Sequence, residues 1–311
     1  MELSLLLAKN IAVMFLMMAC GFIIVKLKIL KADDSRVLAK LCMYVVIPTM
    51  IIDAFQIECT PERLHDFLAM LAASAVAHAV FILVTALVKK PLKLRRIEQL
   101  SLIYPNCGNL ILPLVASVFG PEMVFFACPY VCLQTLMVWT HGRAVICGGQ
   151  GGFDWKKIVL NVNVICTLLG LALFIFEIRL PSMLADTCGK LGGLIGPLSM
   201  LLTGMLIGGA DLKKVFSRGH CYLIAALRLI ALPALLILAL KLTGLTKLTS
   251  SPAVPMITLL AASAPSATTV TNLEQVYDSY PEIAATVNII TMLCCILTMP
   301  LINLLYQVVL L

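Results

Sequence analysis

The sequence predicts an all-α polytopic membrane protein of ten transmembrane helices, arranged as two inverted five-helix repeats. Three observations carry this. Of 311 residues, 61% are hydrophobic and only 13% charged, and the mean hydropathy is +1.04; a soluble chain does not need so many apolar residues to fill its core. The apolar residues fall into runs near spanning length, ~20 residues each, and the charges collect in short loops between them. Two of the runs, in matching positions of the two halves, are interrupted by proline beside small polar residues.

In order, the spans are read at 4–25, 36–56, 65–88, 98–118, 122–142, 157–178, 189–208, 220–242, 254–273 and 283–308. The chain starts Met1-Glu2 without a basic segment, and its first apolar run is long enough to cross, so this span is expected to be retained rather than cleaved. Spans one, two, three and eight carry ionisable residues within them: Lys9, Asp53, His78 and Arg228. Span nine is the least apolar, because 263–272 are mostly small and polar.

The loops choose an orientation. Loops 1–2, 3–4, 5–6 and 7–8 with their flanks hold sixteen Lys and Arg, including Lys89, Lys93, Arg95, Arg96, Lys213 and Arg218, against five on the other side. The positive-inside rule then places both termini outside the cytoplasm and loop 5–6 within it, in the cell membrane. The net charge of +7 belongs to these loops, so no nucleic-acid partner is expected.

Five spans per half is an odd number, so homologous halves must lie with opposite orientation. An offset of 150 sets Lys40-Leu41 on Lys190-Leu191 and His78 on Arg228, with Pro48 and Pro197 one position out of register; an offset of 160 sets Pro105 on Pro265 and Asn106 on Ser266. Pro105 and Pro265 are each followed sixteen positions later by Pro-Glu, although that dipeptide also occurs at Pro61-Glu62. The expected division is 1–147 as first repeat, 148–156 as cytoplasmic linker and 157–311 as second repeat.

The interruption at 104–113 reads Tyr-Pro-Asn-Cys-Gly-Asn-Leu-Ile-Leu-Pro. Lipid cannot pair freed backbone groups, so such a break persists only against protein or a watery cavity. The half-helix that follows presents free N–H groups and a partial positive charge, which binds anions without a full cationic side chain. Pro105, Asn106, Gly108 and Asn109 are therefore candidate substrate-binding residues, with Pro265, Ser266, Thr268 and Thr269 as their partners. Arg228, deep in span eight, is the candidate fixed charge for a carboxylate; its other reading is a structural ion pair, with Asp53 as a partner. His78 and Asp53 are candidates for coupling.

The twelve cysteines show no Cys-x-x-Cys and no zinc spacing. Cys59 and Cys188 are read in outer loops, and their pairing stays open. There is no phosphate loop of the Gly-x-x-x-x-Gly-Lys-Ser/Thr type, no His-Glu-x-x-His and no pair of intramembrane aspartates. No enzyme activity, ATP, metal or cofactor is expected.

The run from Asn106 through Gly108-Asn109 to Pro113 resembles the Asn-x-Gly-Asn…Pro signature of the auxin efflux carrier family of membrane transporters. Pro265, Val276-Tyr277 and Asn288 to Met299-Pro300 are similar to that family's last two helices. The resemblance implies a scaffold of spans 1, 2, 6 and 7, a transport domain of spans 3–5 and 8–10, and a crossing of spans four and nine at Pro105 and Pro265. It also implies elevator-type transport of small organic anions. Loop 5–6 lacks the long insertion of plant members, so the chain is similar to a short prokaryotic member. The expected partners are a small carboxylate, the lipid bilayer, a proton as coupling ion and a second copy in a homodimer. A sodium-coupled bile-acid-type symporter and a non-transporting membrane sensor stay open as alternatives.

Overall fold

The structure, a computed structural model, describes residues 2–148, 156, 159–270 and 281–310. Among these every regular element is helical. We number them α1 (Glu2–Lys26), α2 (Ala32–Ala54), α3 (Pro61–Val88), α4 (Arg96–Ile103), α5 (Cys107–Phe119), α6 (Pro121–Ile146), α7 (Val162–Ile175), α8 (Ser182–Gly209), α9 (Gly219–Thr243), α10 (Ala253–Ser263) and α11 (Pro281–Leu310). Seven are long and apolar enough to cross a membrane: α1, α2, α3, α6, α8, α9 and α11, while α5, α7 and α10 are shorter apolar helices.

The apolar run 98–118, read as interrupted, forms two helices, α4 and α5, because 104–106 leave the helical path. A boundary of the seventh run differs from the sequence reading. The seventh run begins at Ser182 rather than 189, so Cys188 sits in a helix and not in a loop. Ser182, Asp186 and Thr187 lower the hydropathy of its first turns and hide its start. Cys59 and Cys188 are both free thiols. Most of the linker read at 148–156, together with Val276 and Tyr277, lies outside the described residues.

Proline shapes the helices in a consistent way. Three π-turns, Cys42–Val46, Cys107–Ile111 and Leu227–Ala231, each end two residues before a proline: Pro48, Pro113 and Pro233. Proline lacks the N–H and its ring collides with the carbonyl one turn back; the wider turn moves that carbonyl aside. Pro61, Pro121 and Pro281 instead open helices, where the missing N–H costs nothing. Pro-Glu therefore marks helix starts generally and says little about the repeat.

α1 lies along the second half of α8 and also packs on α11, while α2 packs on α7, on the first half of α8 and on the start of α6. α3 packs on α6, α9 and α10, and α11 on α4, α9 and α10. The α1–α8 contact is backbone to backbone. A Cβ on Gly204 would stand 1.9 Å from the Met18 carbonyl oxygen, and one on Gly21 2.2 Å from that of Leu201. Small residues let membrane helices approach this closely, which is where their packing energy comes from. Gly204→Val is expected to lower stability by ~1–3 kcal/mol, the usual cost of overpacking, read as a lower unfolding temperature in detergent. Gly219→Ala, with nothing within 4 Å of its added carbon, should leave that temperature within a degree or two; equal shifts for both would remove this account of the contact.

Candidate functional site

The two interruptions meet. α4 stops at Ile103 and α10 at Ser263, and the short extended segments that follow form one antiparallel bridge, Pro105 opposite Ser266. The Asn106 N–H donates to the Pro265 carbonyl at 2.7 Å, and the Ala267 N–H donates to the Tyr104 carbonyl at 3.0 Å. Proline suits both segments because it cannot continue a helix and disfavours helical geometry in the residue before it. Beyond the bridge the chain turns helical again, at Cys107 on one side and at 268–270 on the other.

Side chains from neighbouring helices satisfy the remaining backbone groups. Gln134 of α6 donates from Nε2 to the Pro105 carbonyl at 2.7 Å. Asn288 of α11 donates from Nδ2 to the Ser266 carbonyl at 2.6 Å, and the Ser266 N–H donates to Thr291 Oγ1 at 3.1 Å. The Tyr104 hydroxyl donates to the Met137 carbonyl at 2.9 Å and accepts from His141 Nδ1 at 2.8 Å. A π-turn at Val138–Gly142 lies just past Met137, which leaves that carbonyl turned out of the regular ladder.

Arg228 is fully buried, at 0% exposure. Its guanidinium donates to the Leu102 carbonyl at 3.1 Å and to the Ala262 carbonyl at 2.7 Å. These are last-turn carbonyls of α4 and α10, the negative ends of two helix dipoles. One cation thus caps both broken helices, with the Phe81 ring 5.1 Å beneath it. The site residues read from sequence therefore separate. Asn106 and Ser266 are buried in the bridge. Gly108, Asn109 and Thr268 are partly exposed and Thr269 is exposed, with Asn109 Nδ2 donating to Thr268 Oγ1 at 3.3 Å. A Cβ on Gly108 would meet nothing within 4 Å, so the first turn of α5 borders open space.

The two coupling candidates also separate. His78 is buried, bonded through Nδ1 to the Ser74 carbonyl at 2.8 Å, and its ring lies 4.9 Å from that of Tyr130. Asp53 is not paired with Arg228; it lines a cavity of about 320 Å³ enclosed by α1, α2, α5 and α8. Among the described residues, His78 Nε2, Tyr130 OH, Asn106 Nδ2, Gln134 Oε1 and Arg228 Nε are buried without a hydrogen-bond partner. Glu274 and Asp278 lie outside the described residues.

A family model described as membrane transport protein matches the chain twice, over residues 6–153 and 150–303. The chain belongs to this membrane transport protein family. It is the family of the auxin efflux carriers, to which the Asn-x-Gly-Asn motif is similar. No curated protein matches the chain. The chain is thus a multi-pass membrane transporter, and its bridge joins segments from the two matched regions.

Sequence reasoning missed Gln134, Asn288 as a bridge ligand, and Thr291. Each is a polar side chain inside an apolar run, which was signal enough to flag it, although not to say which carbonyl it serves. For the transporter's Arg228, removal leaves two buried carbonyls without their donor, at ~1–3 kcal/mol each. Arg228→Gln is expected to lower the unfolding temperature markedly in detergent without any ligand present. Unchanged stability with abolished transport would instead make Arg228 a substrate contact.

Proposed function

We propose that this transporter carries small organic anions, specifically carboxylates, across the cytoplasmic membrane by an elevator-type alternating-access movement. The observation that carries this is the first turn of α5. Its N-terminal amides belong to a half-helix that begins inside the protein at Cys107, its N-cap Asn106 makes no side-chain cap bond, and open space lies beside Gly108. Free amides at a helix start, in a medium of low dielectric, favour a carboxylate. Asn109 and Thr268, one from each interrupted segment, flank that space.

The proposed architecture has ten spans: α1, α2, α3, α4 with α5, α6, α7, α8, α9, α10 with its continuation beyond 268, and α11. The two family matches support a division into inverted repeats near residue 150. The close α1–α8 and α2–α8 packing supports a scaffold of α1, α2, α7 and α8, with the remaining helices as a moving domain that meets it chiefly through α11 on α1 and α6 on α2. The bridge and Arg228 then lie wholly within the moving part, so it can travel without breaking them. The proposed orientation puts both termini outside, following the basic loops.

Uptake of a labelled carboxylate panel into proteoliposomes tests the proposal. Asn109→Ala is expected to reduce uptake ~10-fold and Thr268→Ala by less, since an amide offers two donors and a hydroxyl one. Gly108→Val should abolish uptake while the protein stays folded, because its side chain enters the open space. Full transport in Gly108→Val would move the binding site elsewhere.

A further inference from the structure

The cavity that Asp53 lines has a chemistry different from that of the α5 terminus. It lies between the proposed scaffold and moving domain, with Asn10, Met14 and Met17 from α1, Met50 and Asp53 from α2, and Pro113 and Ser117 from α5. A ridge of glycines on α8 forms its far wall; a Cβ on Gly189 would sit 3.6 Å from Asp53 Oδ2. Asp53 is the one ionisable residue of its lining among the described residues, and its carboxylate makes no hydrogen bond or ion pair with any of them.

The other polar groups of the lining offer free oxygens. Asn10 donates one of its two Nδ2 N–H groups to the Leu6 carbonyl at 3.0 Å, which leaves its amide oxygen and one N–H. Ser117 donates its hydroxyl proton to the Leu114 carbonyl at 3.0 Å, which leaves the oxygen lone pairs. With the Asp53 carboxylate these are acceptors, set among three methionine thioethers. An ammonium group has three donors and no acceptor, and it is the small ligand group that such a set matches. A second carboxylate would face Asp53 in a low dielectric with no cation beside it.

We infer that this cavity is an ammonium subsite, and that the substrates of the transporter are small amino-carboxylates: the carboxylate at the α5 amides, the amine at Asp53. The inference rests on the carboxylate reading of the α5 terminus. Its geometry is consistent. Pro113, which lines the cavity, is one turn beyond Asn109, or ~6 Å along the helix at 1.5 Å per residue. The two linings thus meet on one helix, one turn apart, and the substrate inferred is one with a short chain between its charged groups. The volume of about 320 Å³ is at the lower end for small-molecule pockets, roughly 300–1,000 Å³.

The experiment compares 4-aminobutanoate, butanedioate and butanoate in proteoliposomes, with butylamine binding measured separately by thermal shift of the purified protein. The wild type is expected to take up 4-aminobutanoate at least tenfold faster than either of the others, and butylamine is expected to raise its unfolding temperature. In Asp53→Asn, a near-isosteric change, the tenfold preference should fall below threefold and the butylamine shift should vanish, with the ligand-free unfolding temperature unchanged. Equal or preferred uptake of butanedioate or butanoate, at neutral or acid pH, overturns the ammonium subsite and leaves the carboxylate reading intact. A butylamine shift that survives Asp53→Asn overturns it as well. Uptake of none of the three, with the butylamine shift present and Asp53-dependent, supports the subsite and removes the carboxylate reading.

Discussion

The constraint on which the structure depends is that a backbone amide or carbonyl inside a membrane must find its partner in protein. Breaking a helix at mid-membrane frees several of them at a cost of several kcal/mol each if left unpaired. Here two broken helices satisfy each other. Asn106 and Ala267 donate to Pro265 and Tyr104 across a single antiparallel bridge. What the bridge leaves over is taken by Gln134, Asn288, Thr291 and Arg228. The break is tolerated because it is shared, and neither half could hold it alone.

That sharing explains why polar residues sit where they do. Gln134, Asn288 and Thr291 each serve a named backbone atom of the bridge, and the guanidinium of Arg228 neutralises two helix ends at once. With the two negative ends occupied by one cation, the start of α5 is left as a polar end bordered by open space at Gly108. The division of labour is electrostatic: the carboxyl ends of α4 and α10 are closed off by Arg228, and the amino end of α5 borders open space. The cavity that Asp53 lines touches the same helix one turn further along, at Pro113.

The fold was legible in the sequence to the level of helices, their number of apolar runs and the position of the interruptions. Proline, glycine and two asparagines in one apolar run leave little else to conclude, because each breaks a rule of spanning helices and their coincidence is expensive. The candidate residues were legible as a set and not as roles. Asn106 and Ser266 aligned as equivalents and proved to be bridge residues, while Gly108 and Asn109 border the open space. Arg228 was conspicuous as a buried cation, yet nothing in its neighbours along the chain says that its partners are Leu102 and Ala262. The start of α8 was obscured because Ser182, Asp186 and Thr187 lower the hydropathy of its first turns.

The sequence by itself determined that the chain lives in a bilayer, where its helices run and where two of them must break, since hydropathy, proline and loop charge act locally. Only the tertiary structure decided which groups pair across the breaks. A hydrogen bond such as that from Asn106 to Pro265, 159 positions apart, depends on how α3, α6, α9 and α11 hold the two segments together, and local sequence carries no term for that distance. The same packing decided that Arg228 faces carbonyls and Asp53 faces a cavity. Both were intramembrane charges in the sequence, and what each one can bind follows from the groups that the fold sets against it.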